Sequence, residues 1–346
     1  MTGERPDPWV LVMGMHRSGT SALTGALGAT GLQLYRPDDR VEWAESNPEH
    51  WESLSLTLYD EDLLVRFDGS WDAPPTLPSG WERGSEVPAV ADATRVIESA
   101  YPESGPSLWK DPRLCLLLPF WRNVLAPPLA AVLVWRSPIA VARSLLHRDQ
   151  LPLSDGLALW ERYNRAGLEV LDGVETYVVS YESIVERPEE RLGELLDWLG
   201  SLDQFAGTPL EWDPVPAAAS IAEELRHHAG REDTDPDPTC LPEQRALAEY
   251  LAASAGGHRP FTPKLPGPES PWTTSLLQLR QKLSTPNRER DAALESLRRT
   301  RLDLGGRLEI AQRDLAATHS STSWRVTAPL RALGASIDKW RRPSPG

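Results

Sequence analysis

The chain has 346 residues, 40% hydrophobic and 25% charged, with a formal net charge of -14, an ordinary globular composition with room for one large domain and something smaller. The charge is uneven: residues 276–346 hold 14 Lys+Arg against 7 Asp+Glu, while residues 1–275 hold 22 against 43. So acidic a body excludes general binding of nucleic acid, and any anion has to be held at a local site.

In chain order, Trp9–Met13 (WVLVM) reads as a strand buried on both faces, and helical periodicity follows over Gly19–Thr30. Pro48–Phe67 reads as a further helix, and Asp68–Pro88, rich in Trp, Pro and Gly, as an ordered irregular loop. Ser107–Trp109 is a short candidate strand. Ala130–Trp135 (AAVLVW) and Thr176–Val179 (TYVV) repeat the buried-strand pattern, each followed by a helix, Pro138–His147 and Pro188–Leu199. Leu157–Leu171 adds another helix. Strand alternating with helix predicts an α/β fold, a single P-loop-like domain over residues 8–255 with a central parallel sheet flanked by helices. Residues 256–275 read as a linker by composition. Residues 276–320 read as helical, with apolar or small side chains at 294, 297, 304, 308, 311 and 315 in heptad spacing, which allows a coiled coil and a homodimer. Residues 321–346 form a basic tail.

Two stretches carry chemistry. Between the first strand and helix, Gly14 to Ser21 is G-x-x-x-x-G-T-S, a phosphate-binding loop with Thr20 where a triphosphate-binding loop has lysine. Such a turn aims backbone N–H groups at one point, where the helix dipole also favours an anion. Thr20 and Ser21 place hydroxyls at the helix start, and Arg17 supplies the cation from the loop. The second stretch is WRSPIAVARSLLHRD (135–149). Arg136 leaves a strand end, Pro138 opens a helix, and Ser144 lies one to two turns in, a pairing suited to a terminal phosphate.

Together, HRSGTS (16–21) and Arg136-Ser137-Pro138 through Ser144 resemble the two signatures of sulfotransferases that use 3′-phosphoadenosine-5′-phosphosulfate (PAPS). VSYESIVERPEERLGELLDWLG (179–200) resembles that family's tyrosine–acid strand end and following helix. Arginine in the loop and Trp109-Lys110-Asp111-Pro112-Arg113 are similar to the tyrosylprotein and related bacterial branches. The resemblance implies that the first loop, His16, Arg17, Ser18, Gly19, Thr20 and Ser21, grips the 5′-phosphosulfate and that Arg136 and Ser144 grip the 3′-phosphate. Sulfuryl transfer then needs cations at the leaving oxygen, Arg17 helped by Lys110, and a base for the acceptor hydroxyl. Glu52 in NPEHWES is the first candidate base, Asp111 the second and His16 the third, although Asp111 also reads as a turn cap and His16 as a packing residue.

The implied reaction uses PAPS as co-substrate, no metal, and a hydroxyl of a carbohydrate or small metabolite as acceptor. Trp43, Trp51, Trp71 and Trp81 are candidates for the acceptor wall. A small-molecule P-loop kinase is the alternative enzyme, and an inactive nucleotide-binding scaffold the non-enzymatic one. Cys115 and Cys240 lie far apart without a ligand motif, and His227–His228 lack a third partner, so no metal site is expected. Polar Met1–Pro8, and the lack of any apolar run of spanning length, lead to the expectation of a soluble cytoplasmic protein.

Overall fold

The computed structural model describes residues 7–41, 51–125, 128–206, 208, 210 and 240–284. The heptad positions 294–315, the basic tail, Trp43 and His227–His228 lie outside them. The chain divides into a unit Met1–Leu283 and a second unit Ser284–Gly346; the sheet and the candidate site belong to the first.

Five strands form one sheet: β1 (Trp9–Met13), β2 (Ser107–Lys110), β3 (Leu129–Trp135), β4 (Glu175–Ser180) and β5 (Gly256–His258), in the order β2-β1-β3-β4-β5. β1 pairs in parallel with β2 and β3, β3 pairs in parallel with β4, and β5 closes one edge antiparallel to β4. The expected α/β architecture is therefore observed, with an antiparallel edge strand added.

The strands are apolar throughout because both faces are covered. Leu11 and Met13 of β1, with Ala131 and Leu133 of β3, enter one core; Val10 and Val12, with Ala130, Val132 and Val134, enter the other. Strand alternation alone produces this split. Each fully buried Leu or Val contributes roughly 1.5–3 kcal/mol relative to exposure.

On one face lie α1 (Thr20–Gly28), α7 (Tyr181–Glu186) and α8 (Pro188–Gly200), whose Leu23, Leu27, Ile184, Leu195 and Leu199 complete the second core. The other face holds α2 (Leu54–Val65), α3 (Val90–Ala100), α4 (Leu114–Val124), α5 (Pro138–Asp149), α6 (Leu153–Val170) and α9 (Pro242–Ala253). Residues 271–284 are helical and are called α10. Among the described residues, no helix is long and apolar enough to cross a membrane.

Residues 256–284 are bound closely to the sheet and to α6. Besides β5, this stretch places Phe261 and Leu277 in the core. Buried Glu161 of α6 accepts from the Ser270 N–H at 2.9 Å and the Thr273 hydroxyl at 2.7 Å, and pairs with Arg165 at 3.0 Å. Arg162 makes a two-pronged bond to Glu269 at 2.6 and 2.7 Å. Arg280 of α10 reaches Asp155 and Asp72, each at 2.7 Å. A composition that reads as a linker is thus ordered by polar contacts that leave no hydrophobic period in the sequence.

The strand order sets the site. From β1 the chain moves to β2 at one side, then crosses to β3 at the other, so the order reverses between β1 and β3. The carboxyl ends flanking such a reversal open a crevice, the usual ligand position in open α/β sheets.

Candidate functional site

The loop 14–19 leaves β1 at that reversal. Gly14 has φ +154°, and a Cβ there would sit 2.0 Å from the Val134 carbonyl oxygen of β3. Gly19 has φ +84° and packs on the Tyr181 ring, 2.1 Å from where a Cβ would stand. Only glycine meets both demands, positive φ and close approach. Arg17 is also left-handed, φ 69°, a conformation unusual for a side chain of its size. Gly19 caps α1 without any side-chain cap bond, so the serine–threonine cap that would make this an ordinary turn is absent from α1. The Ser18 hydroxyl is buried with no hydrogen-bond partner, a polar group costly to leave unpaired. An anion at this helix start would satisfy it.

The second stretch arrives from β3. Pro138 opens α5 at its first turn, where its missing N–H costs nothing. Arg17 leaves the first loop and donates from Nε to the Ser144 hydroxyl in α5 at 2.8 Å. Arg136 lies over the Tyr181 ring, 4.5 Å from its centroid, and directs Nη1 toward the Arg17 carbonyl at 3.5 Å. Its own carbonyl accepts from Trp160 Nε1 of α6 at 2.8 Å. The Ser137 N–H donates to Glu182 at 3.0 Å. Arg17, Arg136 and Ser144 are therefore brought together. Tyr181 and Glu182, read in the sequence only as a strand end, tie the two loops to each other.

A third group lies at the end of β2. Lys110 is hydrogen-bonded and ion-paired to Glu52, and both are buried. The β2–β1 register places Lys110 beside Val12, next to the start of loop 14–19. Asp111 is 1% exposed, and its Oδ1 accepts from the Arg113 N–H at 2.8 Å and from Arg113 Nη1 at 3.0 Å. It holds the turn into α4, as an Asp before Pro commonly does, while its Oδ2 is buried without a partner. Burial pushes the Asp111 carboxyl above its usual range, Arg113 working against it. His16 packs between Trp71 and Tyr163, with ring centroids at 4.7 and 5.9 Å.

Of the expected acceptor wall, Trp71 is half-buried and faces His16 and Arg148, whose guanidinium lies 5.6 Å from its ring centre. Tyr163 fixes its backbone by donating to the Trp71 carbonyl at 2.7 Å. Trp51 is half-buried beside Arg40. Trp81 is a correction: it is buried in the core and packs edge-on to Phe67 at 5.5 Å. Its Gly- and Pro-rich surroundings read as an irregular loop, but a large apolar ring is more stable inside.

Asp60 of α2, wholly buried near this cluster, accepts from Trp121 Nε1 at 2.8 Å. Burial, then the charge of Asp111, hold its carboxyl well above the usual range, against the Trp121 bond. A raised folded-state value favours folding while the group is protonated and costs stability as pH climbs above the ordinary carboxylate range. Asp60→Asn keeps the acceptor for Trp121 and cannot ionise. Its melting temperature relative to the parent should therefore rise from pH 5 to pH 8 by a few degrees, for about 1 kcal/mol. A constant difference would show that Asp60 titrates normally.

No protein-family model and no curated protein matches the chain. Among solved structures it is similar to a sulfotransferase domain from the curacin biosynthetic pathway, at 15% identity and a TM-score of 0.41, over 72% of this chain and 99% of that one. It is also similar to a sulfotransferase domain from the Synechococcus PCC 7002 olefin synthase, at 18% identity and a TM-score of 0.38, over 81% and 96%. Function therefore has to rest on the chain's own side chains.

Proposed function

We propose that this protein transfers a sulfuryl group from PAPS to a hydroxyl of a carbohydrate or another small metabolite. The observation that carries the reading is the Arg17–Ser144 hydrogen bond, 2.8 Å long between residues 127 apart in sequence. It joins the two candidate anion-binding stretches at one place. The first loop and the start of α1, with the buried Ser18 hydroxyl, would hold the 5′-phosphosulfate; Arg136 and Ser144 would hold the 3′-phosphate.

In the reaction, the acceptor oxygen attacks sulfur as the bond from sulfur to the bridging phosphate oxygen breaks. Negative charge builds on that oxygen, where Arg17 and Lys110 supply positive charge. Glu52 takes the hydroxyl proton. Its contact with Lys110 places base and cation side by side, so each holds the other's geometry. Glu52 stays the first candidate base and Asp111 the second; both are buried and ion-paired, and Asp111 also holds the turn into α4. A kinase would need a lysine in place of Thr20 and an acid ending a central strand; β3 and β4 instead run into Arg136 and Tyr181.

Arg136→Ala tests the 3′-phosphate assignment. By calorimetry, affinity for adenosine 3′,5′-bisphosphate should fall about 30-fold or more, the cost of truncating one half of a desolvated charge pair. Affinity for adenosine 5′-phosphate should fall far less. Equal losses would mean that Arg136 does not read the 3′-phosphate.

A further inference from the structure

Ser270 starts α10 by accepting from the Trp272 N–H at 3.2 Å. One side of this helix is committed to the sheet unit: Thr273 donates to Glu161, Leu277 lies in the core, and Arg280 reaches Asp72 and Asp155. About a quarter turn round, Trp272, Leu276, Leu279 and Leu283 recur at intervals of four, three and four residues. Trp272, Leu279 and Leu283 are 45%, 54% and 67% exposed, and Leu276 is half-buried. Among the described residues, six large apolar side chains are exposed; the other three, Val65, Val90 and Leu146, lie singly on separate helices. Scattered apolar residues are ordinary on a surface, whereas an aligned row marks a contact.

We propose that this row is a docking surface for a second copy of the same chain, set parallel to the first about a two-fold axis. Intervals of four and three are the seam of a coiled coil, in which each helix presents the same row to its partner. The row spans just under two heptads, too short to hold two chains together alone, since a seam needs three or four. The sequence supplies the remainder downstream. The heptad positions 294, 297, 304, 308, 311 and 315 lie outside the described residues, and 297, 304 and 311 fall whole multiples of seven from Leu283. Pro286 separates the two stretches in sequence, so they read as two short contacts and not one long one. Two weak contacts on one chain reinforce each other only when a partner engages both, because the second then forms at high effective concentration. A second copy carries both by construction.

Length and direction select this occupant. The row from Trp272 to Leu283 is about 17 Å long, whereas a helix over 294–315 would measure about 32 Å. Folding the second stretch back on α10 would cover barely half of it, while pairing like with like covers both. An antiparallel partner would cover α10 but send the two downstream stretches in opposite directions. A parallel partner sets the two copies of Leu279 side by side at one level of the seam and keeps the downstream stretches together. Neither nucleotide nor acceptor enters this contact, so it stands apart from the sulfotransferase reading.

The test is sedimentation velocity of the full chain over a concentration series, without nucleotide. The parent should pass from monomer to dimer as concentration rises. With Leu279→Glu and Leu283→Glu together, each dimer loses four leucines from its seam, and the dissociation constant should rise about 100-fold or more. Val90→Glu makes the same kind of exchange on α3, away from the row, and should leave the constant within about twofold. Leu279→Cys reads the direction. Cys115 and Cys240 are buried, so mild oxidation should link two chains through position 279, which a parallel seam brings within reach of a disulfide. A parent that stays monomeric throughout, as it would if its own downstream stretch covered the row, overturns the proposal. A dimer that survives the double glutamate variant overturns it too, and a dimer of Leu279→Cys that cannot be linked rules out the parallel arrangement.

Discussion

Replacing Arg17 with alanine should lower the proposed PAPS turnover about 10²–10³-fold, the usual cost of removing one preorganised donor from a developing oxyanion. Affinity for PAPS itself should fall much less, because charge at the bridging oxygen builds only as the bond breaks. The expectation comes from where the side chain lies. Arg17 is left-handed, φ 69°, so its loop is turned to send the guanidinium across to α5 and not out to water. Alanine at the same φ keeps the backbone strain and removes only the cation. Arg17→Lys should recover part of the rate, since a point charge replaces a fork that can serve Ser144 and the phosphosulfate together. The check is the appearance of adenosine 3′,5′-bisphosphate from PAPS. Equal losses of rate and affinity would show that Arg17 only binds.

Glu52→Gln has an effect of similar or greater size, roughly a 10²–10⁴-fold loss of rate from removing a positioned base. The substitution preserves shape but leaves Lys110 and Arg113 with less compensation, so the variant should also melt lower. Its rate must be measured where circular dichroism shows it folded. The acid limb of the pH–rate profile should disappear with the carboxylate. Asp111→Asn and His16→Phe are the controls, since these are the second and third candidate bases, and neither should abolish that limb. If Asp111→Asn abolishes it and Glu52→Gln does not, the base has been assigned to the wrong carboxylate.

β1, β3 and β4 are legible in the sequence because strands covered on both faces read as unbroken apolar runs. β5 is not: Gly-Gly-His has no strand signal, and it pairs only because the chain returns beside β4. α4 carries LCLLLPFWRNV, apolar on nearly every side with Pro119 inside it, which hides the helical period. The phosphate loop and Arg136 are legible because glycine and proline fix backbone geometry locally. The Arg17–Ser144 contact is not, since it depends on β1 and β3 being neighbours in the sheet. Arg113 leaves no signal beyond its place in Lys-Asp-Pro-Arg. Its bond to Glu61 depends on α2 packing against the turn after β2.

Whether loop 14–19, Arg136 and Ser144 form one site for a nucleotide phosphorylated at both the 5′ and 3′ positions is tested most directly by calorimetry. The full chain is titrated with adenosine 3′,5′-bisphosphate and with ATP, each with and without magnesium. Tight binding of the bisphosphate, indifferent to magnesium, is the predicted result. Binding of ATP alone, and only with magnesium, would contradict it.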